Sequence, residues 1–211
     1  MTTNHPFDAE TWAQLPEFLG HLPEPVHLHV WGDEQGGEAE RETAVLCHTL
    51  AERFENIHFR QFPQRVNYPY YPVIGVMGAD EQDVGVRLIG WPKGYQLTSL
   101  ITAIQVVSFQ GQTLEPLTRI KLRQLQQDVN IEVLTAADNE AGSLVAKIAF
   151  GLAVNHHRLR AFLIMADQFP QAAMRYSAAY LPHTVVNGRV HVEGVVDEET
   201  LLQHVATAVK A

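Results

Sequence analysis

The order strand, helix, strand, connection, proline, hairpin, glycine, helix is written into this chain twice, and it leaves few folds open. In the first pass, residues 26–31 alternate Val26, Leu28 and Val30 against His27, His29 and Trp31, as a strand with both faces in use does. An acidic, glycine-rich turn at 32–38 leads into a helix on which Cys47, Leu50, Ala51 and Phe54 fall at i, i+3, i+4 and i+7. Residues 57–62 read as a second strand. The Pro- and Tyr-rich stretch 63–72 cannot be a regular helix and delivers the chain to a third strand at 73–77. A turn at 78–83, a strand at 84–89, the sequence Gly90-Trp91-Pro92 and a helix at 95–108 complete the pass. A short helix over residues 9–15 precedes it.

The second pass follows a helix expected over 114–127. A strand at 130–135 enters a polar turn, 136–142, and a helix at 143–154; an apolar strand follows at 159–165 and a short helix at 169–179. Leu181-Pro182 opens the strand 183–186, Asn187-Gly188 is a strong two-residue hairpin signal returning the chain through 189–192, and a last helix runs over 200–209 behind Asp197-Glu198-Glu199. Leu181-Pro182-His183-Thr184 answers Tyr71-Pro72-Val73-Ile74, and Glu193-Gly194 answers Ile89-Gly90. The expectation is an α/β protein of two tandem repeats, 1–112 and 113–211, each a mixed sheet flanked by helices. Within each, a right-handed parallel crossover is followed by an antiparallel hairpin.

That order, with a proline at the start of the third strand of each pass, resembles the thioredoxin fold. The tandem arrangement resembles the glutaredoxin-like protein disulfide oxidoreductases, and the N-terminal module of bacterial alkyl hydroperoxide reductase flavoproteins looks related. The likeness runs over nearly the whole chain and is clearest in residues 85–94 (GVRLIGWPKG), in Gln127-Asp128-Val129, and from Phe169-Pro170 through Leu181-Pro182. Members of that family carry Cys-x-x-Cys after the first strand of one or both repeats, at a helix N-terminus that lowers the pKa of the attacking thiol. Here the matching stretches are Gly37-Glu38-Ala39-Glu40 and Asn139-Glu140-Ala141-Gly142, and neither holds a thiol. The connection 62–72 is also too short for the helix usual at that place.

The resemblance further implies that Tyr71-Pro72 and Leu181-Pro182 are cis. It also implies that the backbone before each proline faces an extended substrate peptide. Tyr68, Tyr70 and Tyr71, with Trp91, would then supply contact area around that groove; alternatively they fill the space of the missing helix. Peptide-binding candidates are therefore Tyr70, Tyr71, Pro72, Trp91, Leu181 and Pro182.

The chain has one cysteine, Cys47, so it can form no intramolecular disulfide and no cysteine zinc or iron–sulfur site. Its place on the apolar helical stripe points to a buried, inert thiol; the competing reading is a one-cysteine role in thiol–disulfide, glutathione or peroxide metabolism. Eleven histidines raise the question of metal, yet no H-E-x-x-H or other ligand spacing occurs, and no P-loop, G-x-G-x-x-G or Ser/His/Asp order points to a cofactor or to hydrolysis. A formal charge of −9, with the acidic excess almost wholly in residues 1–112, disfavours nucleic acid. The first 20 residues hold no Lys or Arg, and no run of about 18 apolar residues occurs anywhere, so a cytoplasmic location without membrane contact is expected. The sequence thus reads as a redox-inactive, double-thioredoxin-fold protein without cofactor or metal that binds a protein or extended peptide. Self-association is a further reading.

Overall fold

The structure, a computed structural model, describes residues 6–33 and 35–210; whatever the reading assigned to residues 1–5, to Glu34 in the acidic turn and to Ala211 lies outside them. Eight strands are present among the described residues: β1 (Val26–Trp31), β2 (Ile57–Phe62), β3 (Val73–Met77), β4 (Val86–Ile89), β5 (Val129–Thr135), β6 (Leu159–Met165), β7 (His183–Val186) and β8 (Val190–Glu193). The helices are α1 (Ala9–Leu19), α2 (Glu38–Arg53), α3 (Tyr95–Ser108), α4 (Pro116–Leu122), α5 (Glu140–Asn155), α6 (Pro170–Arg175) and α7 (Glu198–Ala208). Among the described residues no helix is long and apolar enough to cross a membrane.

Instead of two separate sheets, the strands form one mixed sheet in the order β2-β1-β3-β4-β6-β5-β7-β8. β1 pairs with β2 in parallel and with β3 antiparallel, and β4 continues antiparallel from β3; β5 pairs with β6, β7 and onward to β8 in the same way. The seam is a parallel β4–β6 ladder, Val86 beside Ala161 through Ile89 beside Ile164. It is possible because Gly85 turns with φ +79 and receives the Ala161 amide on its carbonyl at 2.8 Å; a Cβ there would stand 2.4 Å from the Leu159 carbonyl.

The two faces of the sheet are covered differently. On one, Val26, Leu28, Val30, Ile74, Val76, Val86, Leu88, Ile131, Val133, Ala161 and Leu163 form a continuous core with the buried stripes of α2, α3 and α5, completed by α1, α4 and α7. Full burial of each such aliphatic side chain contributes about 1.5–3 kcal/mol. On the other face, Trp31, Val73, Ile89, Ile164 and Leu134 are covered only by the aromatic segment after β2 and by α6. Tyr68, Tyr70 and Tyr71 are half-buried there, where no helix lies between β2 and β3. Arg87 sits in the middle of this face, buried, donating to Asp83 Oδ2 at 2.7 Å, Tyr68 Oη at 2.9 Å and the Val86 carbonyl.

Several boundaries differ from the expectation, for local reasons. Helix α5 begins at Glu140 rather than residue 143 because the Asn139 side chain accepts from the Gly142 amide at 2.7 Å, and α7 begins at Glu198 because Asp197 does the same for Thr200. Helix α1 runs on to Leu19 through Pro16. The helix expected over 114–127 is only Pro116–Leu122, since its end tightens into i→i−3 bonds from Arg123, Gln124 and Leu125. Helix α6 stops at Arg175, before Ser177 at φ 51, and β4 starts at Val86 because Gly85 has left extended geometry. The Asn187-Gly188 turn has φ of 51 and 66, the signs a two-residue hairpin requires.

Candidate functional site

Residues 37–40 and 139–142 lie at corresponding helix starts. Gly37 is the N-cap of α2 with Glu38, Ala39 and Glu40 in its first turn; Asn139 is the N-cap of α5 with Glu140, Ala141 and Gly142 behind it. Both X-Pro bonds, Tyr71–Pro72 and Leu181–Pro182, are cis. Each begins a strand antiparallel to the one that runs into the helix start: Trp31 lies beside Val73 and Leu134 beside His183. The proline carbonyls are held alike, by Gly90 N–H on Pro72 and Gly194 N–H on Pro182, both at 2.8 Å.

Beyond that the two ends diverge. In the second half the Asn139 side chain faces both ways: its Oδ1 accepts from Gly142, and its Nδ2 donates to the carbonyl of Leu181 at 2.9 Å. The backbone oxygen before cis-Pro182 is therefore already paired. The buried Gln96 of α3 reaches across from the first half, its Nε2 donating to the Ala136 carbonyl at 2.9 Å, the Asn139 carbonyl at 2.8 Å and Thr135 Oγ1 at 3.2 Å. The Tyr95 amide also donates to Ala137 at 2.9 Å. This end is locked by the neighbouring half.

The first half has no such cover. Asp33, Gln35, Gly37 and Glu38 are exposed, and nothing stands within 4 Å of where a Gly37 Cβ would project. Glu40 turns back on its own loop, where its carboxylate accepts from the Asp33 amide and, at 3.1 Å, from Gln64 Nε2. The Tyr71 hydroxyl is tied to the backbone of Arg65, but among the described residues the Tyr71 backbone amide and carbonyl have no hydrogen-bond partner. Trp91, next to the Gly90 that holds Pro72, is half-buried and exchanges two backbone bonds with the Gln168 amide, at 2.9 and 2.8 Å. Tyr71, Pro72 and Trp91 thus share one end of the sheet with the α2 start. Tyr70 is not with them: it stacks on Phe169 at 4.8 Å on the sheet face.

Cys47 is fully buried among Leu46, Leu50 and the rest of the main core, and burial pushes its thiol far up from the usual range. Its neighbour His48 points outward to Glu52 at 3.6 Å. Six histidines form three pairs: His27 with His58 at 4.7 Å between ring centres, His156 with His157 at 4.9 Å, and His183 Nε2 with His191 Nδ1 at 3.0 Å. No group of three or more His, Cys, Asp or Glu side chains that could hold a metal occurs among the described residues.

No family model and no curated protein sequence matches this chain. Solved structures do. The N-terminal N/C domain of alkylhydroperoxide reductase AhpF from Enterococcus faecalis superimposes with a TM-score of 0.85 at 18% identity, over 94% of this chain and 99% of that one. A protein disulfide oxidoreductase from Aeropyrum pernix gives 0.85 at 20% identity, over 96% and 94%. The fold is thioredoxin-like. Identities this low establish the fold and leave the chemistry to the residues, and at both helix starts the thioredoxin-like frame carries no sulfur.

Sequence reasoning missed Asn139 and Gln96 as the residues that close the second end. The hydrogen bonds that do so span 39 to 43 positions, and nothing local announces them. Arg87 left a visible mark, one charge inside the apolar run Val86 to Ile89.

Proposed function

We propose that this chain is a non-catalytic thioredoxin-fold protein that holds an extended segment of a partner protein at the Tyr71–Pro72 end of its first half. The observation that carries the reading is the unpaired backbone of Tyr71, beside an exposed, thiol-free helix start. An amide and a carbonyl at the head of a strand can pair with an incoming strand through main-chain bonds, while Trp91 offers apolar contact next to them. In the second half the matching carbonyl, that of Leu181, is already taken by Asn139 Nδ2, so one peptide per chain is expected. The one-cysteine reading requires a thiol that is fully buried to meet a substrate and gains no support from its surroundings.

The test uses 15N-labelled protein titrated with a reduced, carboxymethylated unfolded polypeptide. Amide shifts are expected at Gly36, Gly37 and Tyr71 and at the Trp91 indole, with Ala141 and Gly142 unmoved. Sustained turnover in a glutathione-coupled disulfide-reduction assay, or shifts confined to the Asn139 end, would defeat the proposal.

A further inference from the structure

The sheet face opposite the main core holds a cavity of about 310 Å³ between the segment 67–70 and helix α6. We propose that it is a binding site for a small aromatic monocarboxylate, distinct from the peptide site and independent of it. Its volume is at the lower end of the about 300–1,000 Å³ range of small-molecule sites. The lining has the two parts such a ligand needs, a flat apolar bed and a net cationic rim.

The bed is aromatic. Phe162 lies on the floor between Arg87 on one neighbouring strand and Glu132 on the other, and Tyr70 and Tyr176 also line the cavity. Tyr70 is held upright by its stack on Phe169. Rings arranged in this way accept a planar ring by offset or edge contacts, worth about 0.5–1.5 kcal/mol per pair beyond the area buried.

The rim carries the charge. In a chain of net charge −9, the lining holds Arg87, Arg160 and Arg175 against a single acid, Glu132. Arg87 is spoken for by Asp83, Tyr68 and the Val86 carbonyl. Arg160 and Arg175 are exposed, and among the described residues neither has a carboxylate within 4 Å; Arg175 only lies 5.1 Å from the ring centre of Tyr176. Burial first and then the neighbouring Glu132 carboxylate push the Tyr176 phenol up to about 12. With Arg87 neutralised by Asp83, two free guanidinium groups face one carboxylate, which leaves a single positive charge. That charge matches a monoanion better than a phosphate dianion, and the guanidinium fork fits a carboxylate through two parallel bonds. Asn130, opposite Arg160 in the ladder, adds a neutral donor at the same rim.

The probes are 2-naphthoate, neutral 2-naphthol and cationic 2-naphthylmethylammonium, titrated into the full chain by calorimetry and by amide shifts. The expected result is naphthoate binding at least tenfold tighter than naphthol, no ammonium binding, and shifts in residues 87–89, 130–132, 160–164 and 172–176. Arg160→Gln/Arg175→Gln, which alters two exposed side chains, should erase the tenfold preference and leave naphthol affinity unchanged. The inference falls if naphthoate binds no better than naphthol, if the ammonium binds as well, if the shifts map elsewhere, or if the double variant keeps the preference. None of these outcomes bears on peptide binding at Tyr71.

Discussion

Replacing Gly142, in the first turn of α5, with alanine measures how tightly that helix start is packed against the sheet. An added Cβ would lie 1.9 Å from Thr135 Oγ1 and 2.7 Å from Thr135 Cβ. Thr135 is fully buried and accepts the 3.2 Å bond from Gln96 Nε2. Relief requires Thr135 to move within a packed core, an overpacking cost of about 1–3 kcal/mol. It also breaks or weakens one buried hydrogen bond, at about 1 kcal/mol. Alanine recovers up to about 1 kcal/mol in helix propensity over glycine. The net expectation for Gly142→Ala is a loss of about 2 kcal/mol, read from urea unfolding at constant m, or a drop in Tm of about 4–8 °C for a chain of this size. Gly37→Ala is the control at the other helix start: Gly37 is the N-cap of α2, nothing stands within 4 Å of its Cβ position, and the change should cost less than about 1 kcal/mol. Equal losses for the two variants, or a neutral Gly142→Ala, would refute the steric account.

The same asymmetry governs attempts to introduce a dithiol. Gly37→Cys/Glu40→Cys should fold and form a disulfide under oxidising glutathione, detected by mass and by dithiothreitol sensitivity, whereas Asn139→Cys/Gly142→Cys should lower both yield and Tm. Cys47 should react with iodoacetamide at neutral pH at least about a thousandfold more slowly in native protein than in denaturant, because labelling must wait for the core to open; fast native labelling would contradict its burial. Burial lowers the pKa of His29 despite Glu81 at 3.2 Å, and burial together with His191 lowers that of His183. The unfolded chain therefore takes up these protons first, so their contribution is complete above about pH 6.5 and is lost as pH falls below it. A urea midpoint that declines from pH 7.5 to 5.5, and less steeply in His29→Gln, checks this. Asp83 acts in a lower window: burial opposes its ionisation, but its bonds to Arg87 and Gly85 prevail and hold its pKa below the usual range. Its contribution should disappear only as pH falls below about 4 in the same titration.

Most strands were legible because their two-residue alternation or short apolar runs were bounded by Gly, Pro or Asn-Gly, as at 26–31 and 183–186. The helix starts were less so. Gly142 read as part of a loop because glycine weakens a helix, and only the Asn139 cap and the space above Thr135 explain why the helix includes it. The joining of the two halves was invisible, since the β4–β6 ladder depends on Gly85 meeting Leu159 and Ala161 more than seventy positions away. The aromatic segment illustrates an ambiguity that composition cannot resolve. Tyr71 stands at the sheet end, but Tyr68 and Tyr70 lie over the sheet face, Tyr68 bonded to Arg87 and Tyr70 stacked on Phe169. The residues that make the two cis-proline ends unequal, Gln96 and Asn139, act through contacts far apart in the chain.

The seam between β4 and β6 has a mechanical consequence. Two lobes tethered by a flexible linker can swing about a hinge and clamp a ligand between them. Here swinging would tear a backbone ladder and the paired Trp91–Gln168 bonds at its end. The low-cost deformation left is a twist of the whole eight-stranded ribbon, so the molecule behaves as a rigid plate with its two proline corners at a fixed separation. A partner that touched both corners would be gauged by that separation, much as a template gauges a part.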